Sequence, residues 1–194
     1  MQKKEYSVEI GGKTLTAIFT DLAEQAHGSV MLRYGETVVL ATACMSKDSQ
    51  KGLGWFNLTV DYVEKFYASG KILGSRFVRR EGKPSEDAIL GSRVIDRTLR
   101  PLFDHSIRHA VQVIVTVISV DDNDPTILAV NAASLALAVS NIPWAGAIGC
   151  VRIGKYDDDT LKINPSQKLR EDDSQYKFDL TVCGKNGNIN MIEA

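Results

Sequence analysis

The sequence predicts an α+β fold, a β-α-β-α sandwich with helices laid on a mixed sheet. Three observations carry the prediction: a strand-rich first half, one helix with strong start and stop signals, and a second helix apolar on nearly every side. Tyr6–Ile10 alternates in polarity, turns at Gly11-Gly12-Lys13 and returns through Thr14–Phe19, a hairpin signature. Val30–Tyr34, Gly35-Glu36 and Thr37–Cys44 form a second hairpin whose return arm is apolar enough for a central strand. Phe56–Val63 is a further strand. A helix is expected from Ser85 to Arg100, with Ser85 as N-cap, Glu86 and Asp87 at the positive end of the dipole and Pro101 as the stop. His109–Val120 is a β-branched strand. Asp124-Pro125 then caps and opens the helix Thr126–Ser140, which reads as buried. Ala147–Gly154 and Leu161–Ile163 are strands, parted by the acidic turn Tyr156–Thr160. Phe178–Cys183 and Asn188–Ile192 close a last hairpin over Gly184–Gly187.

At 194 residues, 44% hydrophobic and 24% charged, the chain is far from disordered compositions and is expected to hold one domain of ordinary size, residues 1–194, or one and a small appendage. It ends at Met191–Ala194 in or just after a strand with no helix to cover it, which predicts a fragment of a longer protein. The opening residues lack a signal-peptide pattern, and no apolar run reaches membrane-span length, so a cytoplasmic protein without a membrane partner is expected. Cys44, Cys150 and Cys183 are odd in number and far apart, against a disulfide framework. His105 and His109 stand at i, i+4, the only metal-like spacing, but a strand begins almost at once, so no metal site is expected.

A net charge of −1 makes any attraction for polyanions local. Residues 76–100 hold seven basic against four acidic side chains. Phe77, Arg79, Arg80 and Lys83 crowd a loop with Gly at both ends. Arg93, Arg97 and Arg100 follow at i, i+4 and i+7, one face of a helix. Guanidinium groups match phosphate oxygens bidentately, and an exposed ring offers a face to an unstacked base. The plainer reading is a solvated loop and an ordinary amphipathic helix, with Arg97–Asp96 and Arg93 in structural ion pairs.

The segments Phe77–Glu86, Arg93–Arg97 and Arg100–Phe103 resemble the first core domain of the bacterial polynucleotide phosphorylase family. Ala26–Val30, Arg33–Ala43 and Asp179–Gly184 are similar too, and the resemblance spans essentially the whole chain. Val78 stands where a second Phe is usual, and Lys83 where Arg is common. The resemblance implies a ribonuclease PH-like fold and, in the full-length protein, a trimeric ring that degrades single-stranded RNA from its 3′ end. That reaction releases nucleoside diphosphates and uses inorganic phosphate and Mg²⁺, neither bound by this half. Phe77 would stack on bases at the channel neck and Arg79, Arg80 and Lys83 would hold phosphates. Arg93, Arg97 and Arg100 would reach RNA or brace the loop.

The family's catalytic set lies in its second half: a serine turn opening the buried helix, then two Asp and a Lys near the last strands. Here the turn reads Asn123-Asp124-Pro125-Thr126, Asp179 and Asp173 stand near the carboxylate positions, and Thr181 takes the Lys position. No catalytic residue is therefore assigned. The competing readings are an active stand-alone ribonuclease PH-type subunit and a purely structural ring subunit. A lone half is also expected to self-associate through an apolar face involving Val111–Val120 and the helix after Pro125.

Overall fold

The computed structural model describes residues 3–50, 52, 54–72, 74, 82–156, 160–171 and 176–194, with Tyr176 described in its backbone alone. The expected strands all form: β1 (Lys3–Ile10), β2 (Lys13–Thr20), β3 (Gly28–Tyr34), β4 (Thr37–Ser49), β5 (Leu58–Val63), β6 (His109–Ser119), β7 (Gly149–Tyr156), β8 (Leu161–Ile163), β9 (Tyr176–Lys185) and β10 (Asn188–Glu193). Helix α1 runs Glu86–Leu99, α2 runs Pro125–Ala138, and α3 is the single turn Gln167–Arg170. Short 3₁₀ turns at Phe66–Ser69 and Arg100–Leu102 were not expected from the sequence. The second of these carries Pro101, so proline ends the α-helical ladder without ending the turn.

The strands build two sheets. One has the order β1-β2-β3-β4-β6-β5, antiparallel except for the β5–β6 pair; the other has the order β10-β9-β7-β8. Helix α2 packs against β3, β4 and β6 on one side and β7 on the other, and α1 against β5, β10 and α2. Both helices thus lie between the sheets. This explains the composition of α2: Ile127, Leu128, Ala129, Val130, Ala132, Ala133, Ala136 and Leu137 are all buried because two apolar layers face it. Its polar residues serve the second sheet. The Asn131 amide bonds the carbonyl of Cys150 at 2.8 Å and accepts from its N–H at 3.0 Å, while Ser134 accepts from Ile148 N–H at 2.9 Å. Strand β3 comes so close to α2 that a Cβ on Gly28 would collide with the carbonyl of Ala136.

The three tight hairpins match the reading from sequence, with their turns refined: Lys13 already belongs to β2, so the first turn is Gly11-Gly12 alone. Gly11 and Gly12 both take positive φ, and so do Asn186 and Gly187, which make a two-residue turn where a four-residue one was expected. Residues 157–159 of the expected acidic turn lie outside the described residues. The expectation of an apolar face on α2 is corrected, since that helix is enclosed by its own chain. Strand β6 divides: Val111, Val113, Val115 and Val117 are buried against the helices, whereas Ile114 and Ile118 sit half-buried on the far face of the sheet.

Ahead of α2, Asp121 accepts hydrogen bonds from Thr37 and from the backbone N–H groups of Glu36 and Asn123, tying the β3–β4 turn to the helix start. Burial pushes its carboxyl up, but these bonds outweigh burial and hold it below the ordinary Asp value. A lowered folded value means that the stabilisation is present above the unfolded pKa and is lost as pH falls through the folded one. Asp121→Asn should therefore lower stability at neutral pH and flatten the acid limb of a denaturation-versus-pH series; an unchanged limb would mean that Asp121 does not contribute to acid sensitivity.

Candidate nucleic-acid interface

Helix α1 is placed by its cap. Ser85 Oγ accepts from Ala88 N–H at 2.9 Å and donates to Glu64 Oε2 at 2.7 Å, which anchors the helix start to the end of β5. Ala88, Gly91, Val94, Ile95, Thr98 and Leu99 turn inward, leaving Leu90, Arg93 and Arg97 on an outward stripe. Arg93 and Arg97 are exposed and make no ion pair among the described residues. They stand about two and three turns into the helix, so the basic track along α1 runs for roughly 16 Å from its start.

Arg100 departs from that stripe. It grips Asp96 with both forks, at 2.6 and 3.0 Å, and reaches the carbonyls of Leu58 at 3.2 Å and Phe56 at 3.4 Å. Its place is the joint between the end of α1 and the start of β5, where it braces helix against strand rather than the basic loop. The suggested Arg97–Asp96 pair is corrected, because Asp96 is taken by Arg100 one turn further on. Geometry explains the difference: at i, i+4 an Asp and a following Arg meet on one helix face, while adjacent residues point apart. Arg100→Ala should destabilise the fold by about 1–3 kcal/mol, since it strips charge-assisted bonds from a half-buried joint. Arg93→Ala and Arg97→Ala should each stay within about 0.5 kcal/mol. Chemical denaturation of the three variants checks the contrast.

Lys83 is exposed in the segment leading to Ser85 and borders a cleft of about 620 Å³. The cleft lies between β5, the turn Phe66–Ser69 and the start of α1, and Lys65 and Lys71 line it as well. Phe66, which lines it, and the neighbouring Tyr67 are 45% and 57% exposed, so two rings lie between Lys65 and Lys71 in the chain. Sequence reading passed over this group, although the run Lys65-Phe66-Tyr67 with Lys71 interleaves basic and aromatic residues in the manner of single-strand binding surfaces. Tyr62 lies under α1 with its hydroxyl buried, and burial raises its pKa, so it remains protonated. Phe77, Arg79 and Arg80 lie outside the described residues.

The start of α2 decides what the chain cannot bind there. Asp124 caps the helix, accepting from Thr126 N–H at 2.8 Å, and its other oxygen meets the guanidinium of Arg152. Arg152 Nε in turn bonds both oxygens of Asp179 at 2.7 and 2.9 Å, and Arg170 stands 3.8 Å from Asp124. A helix N-terminus that would attract an anion is thus filled by the chain's own carboxylate. Thr181 is buried directly across the strand pair from Arg152. A cation does stand beside the expected Lys position, but both carboxylates hold it. Asp173 lies outside the described residues. His105 and His109 occupy a loop and the first residue of β6, not one helix, with Phe56 stacked on His105.

A sequence model of the 3′ exoribonuclease family, domain 1, matches residues 14–143. The chain belongs to the 3′ exoribonuclease family. Within the family, it is 48% identical to the polyribonucleotide nucleotidyltransferase of Caldicellulosiruptor bescii over 195 aligned residues, covering 100% of this chain and 27% of the relative. It is 50% identical to that of Thermomicrobium roseum, covering 97% of this chain and 23% of the relative. The chain therefore spans about a quarter of the curated relatives' length. Solved structures share the 3′ exoribonuclease fold. Rice Rrp46 superposes with a TM-score of 0.69 at 17% identity, over 87% of this chain and 74% of that one. The Archaeoglobus fulgidus exosome with RNA bound to the active site superposes with a TM-score of 0.66 at 17% identity, over 99% and 76%.

Proposed function

We propose that this chain is the N-terminal, non-catalytic core half of a phosphate-dependent 3′→5′ exoribonuclease, guiding single-stranded RNA while catalysis resides elsewhere in the longer protein. The observation that carries the reading is the filled anion position: the relatives are nucleotidyltransferases, yet Asp124, Arg152 and Asp179 satisfy one another where the resemblance would place phosphate. The same arrangement does not suit Mg²⁺, because both carboxylates are neutralised by a guanidinium. Mg²⁺ and inorganic phosphate act in the part of the protein that this chain does not span.

RNA enters along Phe77, Arg79, Arg80 and Lys83, with Arg93 and Arg97 extending the track and Arg100 holding the helix that carries them. The exposure of Lys83, Arg93 and Arg97 supports this reading over a purely structural subunit. Assembly is as a trimeric ring in the cytoplasm; no helix among the described residues is long and apolar enough to cross a membrane. The far face of the six-stranded sheet, with Met31, Leu40, Ile114 and Ile118 half-buried and turned away from α1 and α2, is available for packing within that ring.

Contacts to phosphates are indifferent to sequence and sensitive to salt. In the longer protein, Arg79→Ala with Arg80→Ala should weaken binding of all single-stranded RNAs alike. The log–log salt slope should become shallower by roughly 0.7 for each phosphate no longer held. Phe77→Ala should cost about 1–3 kcal/mol of binding with little change in slope. An unaltered slope in the double variant removes the phosphate-holding role.

A further inference from the structure

We propose that Cys150 and Cys183 form an oxidative modification site, closing a disulfide across β7 and β9. The two residues are direct cross-strand partners. Within an antiparallel strand a residue's N–H and C=O point to the same side. For Cys150 both are taken by the side chain of Asn131, so neither faces β9. The Cys150/Cys183 pair is therefore of the non-hydrogen-bonded kind, with Cα atoms about 4.5 Å apart, where side chains approach most closely. Disulfides accept Cα separations from about 4.4 Å upward. The sulfurs lie 2.8 Å apart, so bond formation asks for side-chain adjustment and no strand movement.

The surroundings favour this pair and exclude the third cysteine. Cys150 and Cys183 are buried, and Met191 on β10 continues the row with its sulfur 4.0 Å from that of Cys183. Cys44 lies on β4 of the other sheet, on the face turned away from α2. Strand β10 is an edge strand, so its fraying opens a path from solvent to Cys183. Hydrogen bonding within the pair holds the Cys183 thiol below its ordinary value and pushes Cys150 up, and the path through β10 reaches Cys183 first.

With hydrogen peroxide, the Cys183 thiolate displaces hydroxide from the peroxide and becomes a sulfenic acid, and the hydroxide takes the thiol proton to give water. Cys150 sulfur then attacks that sulfur, releasing a second water. Two thiols and one peroxide give one disulfide and two waters; a dithiol reductant reverses the step. The bond links the strands that carry Arg152 and Asp179, locking the cluster at the start of α2.

The reduced, purified protein is exposed to graded hydrogen peroxide, denatured, alkylated with iodoacetamide and mapped by mass without reduction. The expected product is a peptide pair joining Cys150 to Cys183, lighter by two hydrogens, reversed by dithiothreitol and formed before Cys44 is modified. The variant Cys150→Ala should give no intrachain link. Recovery of both thiols as alkylated peptides under conditions that oxidise Cys44 would overturn the proposal, as would links that join only different chains.

Discussion

Arg152→Ala should destabilise the domain by about 2–4 kcal/mol, a larger loss than at Arg100. Removing one partner of a fully buried pair costs about 3–5 kcal/mol, because the charge left behind has lost both its counter-ion and its water. Here the Arg152, Asp124 and Asp179 side chains are 22%, 13% and 28% exposed, so solvent recovers part of that cost. An exposed ion pair would contribute under about 1 kcal/mol. The two expectations are far enough apart for chemical denaturation to separate them. A second variant identifies the cause: adding Asp179→Asn to Arg152→Ala should recover part of the loss, since it removes one of the stranded carboxylates. If the single variant loses less than about 1 kcal/mol, the cluster is a surface ornament and the account of α2's start fails.

The strands were legible because their polarity alternates and their turns are marked by glycine; α1 and α2 were legible because Ser85 and Asp124 announce their caps, whereas the single turn α3 was not expected. What escaped was non-local. Nothing near Arg152 in the chain indicates that it meets Asp124 and Asp179, since the three come together only when β7 and β9 pair beside the start of α2. The same holds for Arg100. Its spacing from Arg93 and Arg97 suggested a common outward face, but Asp96 one turn back and the carbonyls of Phe56 and Leu58 draw it under the helix. Cys150 and Cys183, separated by most of the second sheet's sequence, become neighbours through strand register alone. The Lys65–Lys71 segment is the exception, a local signal of two rings between two lysines that the stronger arginine run overshadowed.

The largest functional effect expected is an absence of phosphorolysis in this chain on its own. In the proposed reaction an inorganic phosphate is the nucleophile, and it would need a site that favours anions. At the start of α2 the resident Asp124 carboxylate already takes the helix N–H and the guanidinium, so an incoming phosphate finds the donors it would need occupied. Replacing Asp124 alone would not create activity, because Pro125 removes a backbone donor from the same turn and Asp179 still holds Arg152.

The decisive measurement is an assay of the purified chain with labelled single-stranded RNA, inorganic phosphate and Mg²⁺, following RNA retention and nucleoside diphosphate release together. RNA binding that weakens as salt rises, with no nucleoside diphosphate formed, is the predicted result. Release of nucleoside diphosphates that persists after repurification and disappears in Asp179→Ala would contradict it, and would make this half a catalyst.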